Sequence, residues 1–296
     1  ADESGYSRSR LLMPLVFAAA LGGNLSIIGA PGNLMGVNAL QEMGLSTSFF
    51  MYAPVGVPML VLGILYFVFI GYRFLPNGNH AAGEALEDQQ DFSHVPKWKQ
   101  TVSLVVLILV ILAMIFEKEI GISIEVSACI GAIVLVLTGV ISEKEALKSI
   151  DLKVVFLFGG SLTLAKALDT TGAGELIADK IVGLLGADPS LLLLVIFIVT
   201  CVLTNFMSNT ATTALMIPIA VSLANNLGAD PRAVVIATVI AGSCAYATPI
   251  GMPANTMVVG LGGYKFKDYV KSGLPLILVS FVICMILLPI LFPFYP

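Results

Sequence analysis

Long apolar stretches alternate with short polar ones along almost the whole chain. Near-continuous apolar runs lie at residues 50–72, 102–116, 125–141, 154–168 and 273–292. A helix needs about 20 mostly apolar residues to cross the hydrocarbon core of a bilayer, and shorter runs suit tilted or broken segments. The pattern therefore predicts an all-α membrane protein with several spanning helices, joined by a polar linker at residues 76–100.

Two further apolar regions are interrupted by short segments. Residues 190–227 contain a polar stretch at 204–210, and residues 232–262 are broken near 249–255. Irregular or polar backbone at membrane depth is tolerated only where protein or a water-filled cavity surrounds it. We therefore expect a re-entrant hairpin at 190–227 and a broken helix at 232–262. Residues 172–186 have the charge pattern of an amphipathic helix at the membrane surface.

The chain also contains an internal repeat. The pattern G-x-P-x-N occurs at residues 29–33 and 251–255, each copy preceded by an arginine at the same spacing. Each copy is followed by a G-x-P motif that opens the next span, at 56–58 and 273–275. When Lys and Arg are placed mainly on the cytoplasmic side, the two copies cross the membrane in opposite senses. This is the inverted-repeat architecture of secondary transporters.

The two copies are unequal, because residues 100–232 have no counterpart before the first copy. We expect residues 1–75 to be the end of a first repeat, 76–100 a cytoplasmic linker and 101–296 the second repeat. On this interpretation the first repeat is incomplete, and on the order of 130 residues precede this chain in a larger transporter. A naturally short half-transporter is the alternative.

Composition narrows the function classes. Hydrophobic residues make up 57% of the chain and charged residues only 11%, whereas globular domains have about a quarter charged residues. The net charge of −4, without a basic patch, argues against nucleic acid as a partner. The spans contain no paired nucleophile and base and no carboxylate pair, so an enzyme is not expected. The expected location is a lipid bilayer of bacterial plasma-membrane type, crossed several times.

The polar stretch at 204–213 supplies the chemistry. It contains hydroxyl and amide side chains, including Ser208, Asn209 and Thr210, and no charge. Polar groups at membrane depth usually mark function. Oxygens around an unwound tip suit a bare Na⁺, and the N-terminus of the next helix favours an anion. A proton relay would need a mid-membrane Asp, Glu or His, and none is evident in the spans.

The two G-x-P-x-N motifs predict breaks of the same kind. Pro31 and Pro253 lack an N–H group and obstruct the preceding turn, so carbonyls before each break are freed for an ion. Asn33 and Asn255 are predicted either to cap the second half-helix or to contact the substrate.

The Ser208-Asn209-Thr210 tip, followed by a proline-broken helix that ends in P-x-N, resembles the divalent anion–sodium symporter family. That family transports citrate, succinate, other dicarboxylates and sulfate. The resemblance covers essentially the whole chain. It implies two inverted repeats, each with a re-entrant hairpin and a broken helix, a homodimer, and an elevator-like movement of the transport domain.

The resemblance also implies a site. One Na⁺ would be held by Thr204, Met207, Ser208, Asn209 and Gly251, and the Gly29 carbonyl would bind a second Na⁺. The substrate would meet Ser208, Asn209, Thr210, Pro31 and Pro253, beside Asn33 and Asn255. Sodium is the coupling ion, and no cofactor is expected.

The sequence departs from the family pattern at two pairs of positions. Ala30 and Met252 stand where the family often has a hydroxyl, and Gly32 and Ala254 stand where it often has a second proline. These departures leave the anion open. The expected function is sodium-coupled symport of a small anion, a di- or tricarboxylate. The alternatives are a proton-coupled or exchange-type transporter of the same architecture, and a non-transporting fragment.

Overall fold

A computed structural model describes residues 7–76, 95–173 and 188–295, together with residues 176, 180 and 183. Within these residues the chain is helical and has no β-strand, which confirms the predicted all-α class. The helices are α1 Arg8–Gly22, α2 Pro31–Glu42, α3 Ala53–Phe69, α4 Lys97–Ile115, α5 Glu117–Ile120, α6 Ile124–Leu137, α7 Glu143–Lys148, α8 Leu152–Thr171, α9 Pro189–Thr204, α10 Asn209–Asn226, α11 Arg232–Ser243, α12 Pro253–Gly262 and α13 Phe266–Leu291.

The predicted spans match helices, but several ends differ. Helix α4 begins at Lys97, inside the predicted linker, and α13 begins at Phe266, well before residue 273. Both starts carry lysines, which the apolar pattern placed outside the spans. Most of the predicted linker and of the amphipathic stretch at 172–186 lies outside the described residues. In the described part, α4 and α13 are long and apolar enough to cross a membrane, and α3, α6, α9 and α11 are shorter apolar helices.

Contacts divide the chain into two compact units. The smaller unit is Glu84–Val155, and the larger one contains Ala1–Gly83 and Phe156–Pro296. In the smaller unit α4 packs against α6, because Gly131 leaves room for the Val110 side chain. A capping box of Ser142 and Glu145 starts α7, and satisfies two of its free N–H groups.

The larger unit contains two broken helices of the same design. Helix α1 gives way to a short 3₁₀ turn at Gly23–Leu25 before α2 begins at Pro31. Helix α11 ends at Ser243, and α12 begins at Pro253. Proline suits the first helical position because its missing N–H would have no partner there. The predicted proline breaks at 31 and 253 are therefore confirmed as helix starts.

Helices α9 and α10 form a hairpin whose connecting turn is residues 205–208, and residues 204–210 are called its tip. Helix α11 packs against both hairpin helices and against α2 and α13. Every residue of α11 from Ala233 to Gly242 is buried, so this half-helix forms the centre of the larger unit. The hairpin tip and both breaks belong to this unit.

Candidate functional site

Thr204 ends α9 and lies beside the first residue of α10. Its hydroxyl donates a hydrogen bond to the Gly242 carbonyl, and its oxygen is 2.9 Å from Asn209 Oδ1. A hydroxyl has only one proton to donate. The proton can be donated to only one of the two acceptors at a time, so when it is donated to the Gly242 carbonyl, two side-chain oxygens face each other at the tip. This arrangement is favourable where a cation or another donor lies beside them.

Asn205 connects the tip to the second break through hydrogen bonds. Its Nδ2 group donates to the carbonyls of Cys201 and Cys244, at 2.8 and 3.2 Å, and its Oδ1 accepts from Ala247 N at 3.0 Å. The Thr248 hydroxyl donates to the Asn205 carbonyl. No role was predicted for Asn205 or Thr248. The signal for Asn205 was its place inside the polar stretch.

The remaining tip residues face outward. Ser208 is exposed, and its side chain accepts a hydrogen bond from Ala211 N at 3.3 Å, so it caps α10. Asn209 and Thr210 are partly exposed, and Met207 is 40% exposed. The Ser208 proton and the N–H groups of Asn209 and Thr210, which lack helical acceptors at the start of α10, can therefore meet a solute.

The Asn255 side chain forms hydrogen bonds to the backbone of the second break. Its Nδ2 group donates to the carbonyls of Ala245 and Thr248, both at 2.8 Å. The Tyr269 hydroxyl donates to the Asn255 carbonyl at 2.8 Å. Asn255 and Tyr269 are completely buried. The amide thus replaces the helical partners that these carbonyls lose at the break.

The first break has the same hydrogen bonds. Asn33 Nδ2 donates to the carbonyls of Gly23 and Ser26, at 2.8 and 2.7 Å, and the Tyr52 hydroxyl donates to the Asn33 carbonyl at 2.8 Å. The pairs Gly23/Ala245, Ser26/Thr248 and Asn33/Asn255 have the same separation along the chain. The sequence repeat is therefore also a repeat of hydrogen bonding.

The predicted capping role of the two asparagines is wrong. The N-cap residues are Ala30 and Met252, and neither makes a side-chain cap bond. Asn33 and Asn255 lie in the first turns of α2 and α12. Each donates both of its amide protons to backbone carbonyls of the break before its helix. Two carbonyls in each break therefore each accept one hydrogen bond from an asparagine amide. Substrate contact by Asn33 and Asn255 stays a prediction, although both side chains are fully buried.

The hairpin contacts both breaks. A Cβ added to Gly251 would lie 3.0 Å from the Thr204 carbonyl, and one added to Gly32 would lie 3.1 Å from the Thr213 side chain. Thr204, Asn209 and Gly251, predicted as sodium ligands, are thus on adjoining segments. Glycine at 32 lets α10 approach α2 where a larger residue would press on Thr213.

The remaining predicted residues lie at the two breaks. Pro31 and Pro253 are exposed at the starts of α2 and α12. Gly29 is exposed, and a Cβ there would overlap the carbonyl of Gly23, so only glycine fits. Helices α2, α10 and α12 all begin at the tip or at a break. Their N-termini carry partial positive charge that favours an anion.

An apolar cavity of about 550 Å³ lies between α9 and α13, behind the tip. Phe197, Phe206 and Phe281 line it, and Asn205 and Thr248 form its polar edge. A cavity with so few polar groups does not suit an anion.

A helix hairpin whose tip meets two broken helices is an architecture typical of secondary transporters. A family model described as citrate transporter matches residues 1–120 and 111–295. The chain belongs to this family. The resemblance predicted from the tip and break motifs is confirmed, and the family consists of membrane transporters rather than enzymes.

Relatives among characterised and uncharacterised transporters agree with this family. The chain is 27% identical over 304 residues to a sodium-dependent dicarboxylate transporter, SdcS, of Staphylococcus aureus strain USA300. That match covers 96% of this chain and 58% of the relative. It is 29% identical over 289 residues to an uncharacterized transporter of Haemophilus influenzae, covering 92% of this chain and 60% of the relative. It is 36% identical over 155 residues to the uncharacterized transporter YfbS of Escherichia coli K12. That match covers 52% of this chain and 25% of the relative. The chain therefore spans at most about three fifths of these relatives.

Proposed function

We propose that this chain forms the substrate and sodium site of a sodium-coupled symporter for a small di- or tricarboxylate. The observation that carries the proposal is the meeting of Thr204, Asn209 and Gly251 at the hairpin tip. Unwound carbonyls and side-chain oxygens of discontinuous helices are the usual sodium ligands of secondary transporters. The sodium-dependent dicarboxylate relative supports the same coupling ion.

The anion is proposed to bind on the open side of the tip. Ser208, Asn209 and Thr210 present hydroxyl and amide groups there, and Pro31 and Pro253 mark the starts of two half-helices. Neutral donors and helix N-termini hold a carboxylate without a fixed positive charge. A bound Na⁺ supplies that charge, so anion and sodium favour each other's binding. This mutual dependence is the physical basis proposed for symport.

The inverted repeat and the re-entrant hairpin are proposed on two grounds. The two breaks have matching hydrogen bonds, and the helices that precede them differ in how far the rest of the chain buries them. Leu11 and Leu15 of α1 are 44% and 66% exposed, whereas Ala233 and Ala237, at equivalent positions of α11, are completely buried under the hairpin. A cavity of about 410 Å³ lies along α1 and α3. We propose that an equivalent hairpin covers this face in the complete transporter, which forms a homodimer in a bacterial plasma membrane.

The experiment that tests the function is uptake of labelled succinate, citrate and sulfate into proteoliposomes, with Na⁺ or choline outside. The chain alone and the complete transporter are compared. Sodium-dependent uptake of a di- or tricarboxylate by the complete form is the expected result. Uptake that follows a proton gradient, or exchange without sodium, would replace the proposal by the alternative coupling. No uptake by either form would show that none of these three anions is the substrate, and would overturn the proposed di- or tricarboxylate.

A further inference from the structure

The apolar cavity between α9 and α13 is open at its walls. Its volume is about 550 Å³, and the side chains of Val202, Phe206, Leu274 and Leu278, which line it, are each at least 52% exposed. Exposed apolar surface of this extent marks a place where lipid or another protein binds. Because the cavity is concave, it encloses its occupant on several sides, which a flat lipid-facing helix does not do.

The length of the cavity matches one leaflet of a bilayer. Its lining positions on α13 extend from Phe266 to Phe281, which is about 22 Å along a helix. One leaflet contributes about 15 Å of hydrocarbon, half of the ~30 Å core. At the far end Phe281 packs edge-on against Phe197, with ring centroids 5.4 Å apart. The cavity is therefore long enough for one lipid acyl chain.

The other end of the cavity carries positive charge. Phe266 is the first residue of α13 and lines the cavity, and the exposed Lys265, Lys267 and Lys271 lie around it in the sequence. The one acidic residue in this segment is Asp268. It is 8% exposed, and its Oδ2 accepts a hydrogen bond from the Lys265 backbone N–H at 2.8 Å. The segment thus presents a net positive charge at the start of α13.

Two of these lysines share a helix face with the cavity. Lys267, Lys271, Leu274 and Leu278 follow one another at spacings of four, three and four residues, which places them on one side of an α-helix. The two leucines line the cavity. Long helical side chains lean toward the N-terminus of their helix, so the ammonium groups extend toward the membrane surface. An apolar groove that ends at two lysines matches both halves of an anionic lipid.

We propose that this cavity binds one acyl chain of an anionic phospholipid, whose phosphate contacts Lys267 and Lys271. The lysines of the chain are placed mainly on the cytoplasmic side, and the cytoplasmic leaflet holds anionic lipid. The cavity borders Asn205 and Thr248, which join the turn of the hairpin to the second break. The bound chain therefore packs against the hairpin turn and stabilises the larger unit.

The test is thermal unfolding of the complete transporter in detergent, with added phosphatidylglycerol or phosphatidylcholine of the same acyl chains. The buffer contains choline and no sodium. Lipid that binds only the folded state raises the melting temperature by mass action. Phosphatidylglycerol is expected to half-saturate at a concentration at least ~10-fold lower than phosphatidylcholine, because lysines near the membrane surface attract anionic lipid.

Charge removal is expected to abolish that preference. The variant is Lys267→Gln combined with Lys271→Gln, and both positions are exposed. Lys144→Gln combined with Lys148→Gln is the matched control, because these two lysines have the same spacing in α7 and are also exposed. The control is expected to retain the preference for phosphatidylglycerol.

Leu278→Trp tests the cavity itself. An indole at this 60% exposed position fills space that the acyl chain needs, so the half-saturating concentration of both lipids is expected to rise at least ~10-fold. Ile286→Trp is the matched control, because Ile286 is 55% exposed and lies on α13 outside the cavity. It is expected to leave the lipid dependence unchanged.

Three results would overturn the inference. They are equal half-saturation by the two lipids in wild type, a preference that survives in the Lys267 and Lys271 variant, and a wild-type lipid dependence in Leu278→Trp. This chain is measured in parallel. Phosphatidylglycerol that stabilises the chain but not the complete transporter would assign the cavity to another segment of the transporter instead. Because the measurement contains no sodium, its failure leaves the proposed function untouched.

Discussion

The hydroxyl of Tyr269 donates a hydrogen bond of 2.8 Å to the backbone carbonyl of Asn255. Asn255 in turn donates both of its amide protons to carbonyls of the break before α12. One chain of bonds therefore runs from α13, through the asparagine, to the unwound segment that contains Gly251. The start of a half-helix is thus fixed by the long helix that follows it, and Tyr52 fixes Asn33 in the same way.

Replacing either tyrosine by phenylalanine tests this arrangement. Tyr269→Phe and Tyr52→Phe each remove one buried hydrogen bond and keep the ring, so each is expected to cost about 1 kcal/mol of stability. The two bonds share no partner, so the double variant is expected to show the sum. Melting temperatures in detergent measure the effect. A double variant no less stable than either single one would mean that the two breaks are not independently held.

The sequence predicted the helices and both breaks because their causes are local. An apolar run specifies a membrane-length helix, and proline after glycine specifies an interruption. The tyrosines could not be predicted from their neighbours. Tyr52 lies 19 residues from Asn33 along the chain, and Tyr66 bonds the Ser272 carbonyl 206 residues away. Such bonds exist only after the helices have packed.

The site was predictable in its residue types and less so in its roles. The polar stretch at 204–210 pointed to the tip, which the structure places beside both breaks. Its pattern could not show that Asn205 faces inward while Ser208 faces outward, because the turn at residues 205–208 is not helical and has no fixed period. The same limit explains the wrong capping role of Asn33 and Asn255.

Gly273→Ala tests how closely α13 must approach the second break. A Cβ at Gly273 would overlap the Tyr246 carbonyl, which is backbone and cannot turn aside. Overpacking of this kind costs about 1–3 kcal/mol or more. Gly260→Ala in α12 is the matched control, because nothing lies within 4 Å of the added Cβ, and alanine favours a helix. Equal melting temperatures for the two variants would show that α13 can move away without loss.

The ion pair between Asp230 and Arg232 predicts a dependence of stability on pH. Partial burial raises the pKa of Asp230, but the hydrogen bonds and charge of Arg232 outweigh it, so the pKa is lowered. The backbone N–H of Asp230 also donates to the Phe294 carbonyl at 2.7 Å, which ties the pair to the end of the chain.

A carboxyl group with a lowered pKa in the folded state stabilises the protein above its unfolded pKa of about 3.9. That contribution is lost as the pH falls through the lower, folded-state value. Asp230→Asn is therefore expected to melt lower than wild type at pH 7, with the difference shrinking toward acid. Melting curves from neutral to acidic pH measure this. A difference that stays constant with pH would show that the charge of Asp230 contributes nothing.

Thr204 offers the sharpest test of the proposed sodium site. Thr204→Val keeps the size of the side chain but removes the oxygen that lies 2.9 Å from Asn209 Oδ1, whereas Thr204→Ser keeps that oxygen and removes a methyl group. The valine variant is expected to raise the half-saturating Na⁺ concentration for stabilisation at least ~10-fold, and to abolish sodium-dependent uptake. The serine variant is expected to retain both.

Loss of the hydroxyl also removes the hydrogen bond to the Gly242 carbonyl, so the valine variant is expected to be less stable by about 1 kcal/mol even in choline. The sodium effect is therefore read as the difference between melting temperatures in Na⁺ and choline for each variant. If that difference is the same in Thr204→Val as in wild type, Thr204 holds the hairpin to α11 and does not bind the ion. The sodium ion would then have to be assigned to oxygens other than that of Thr204.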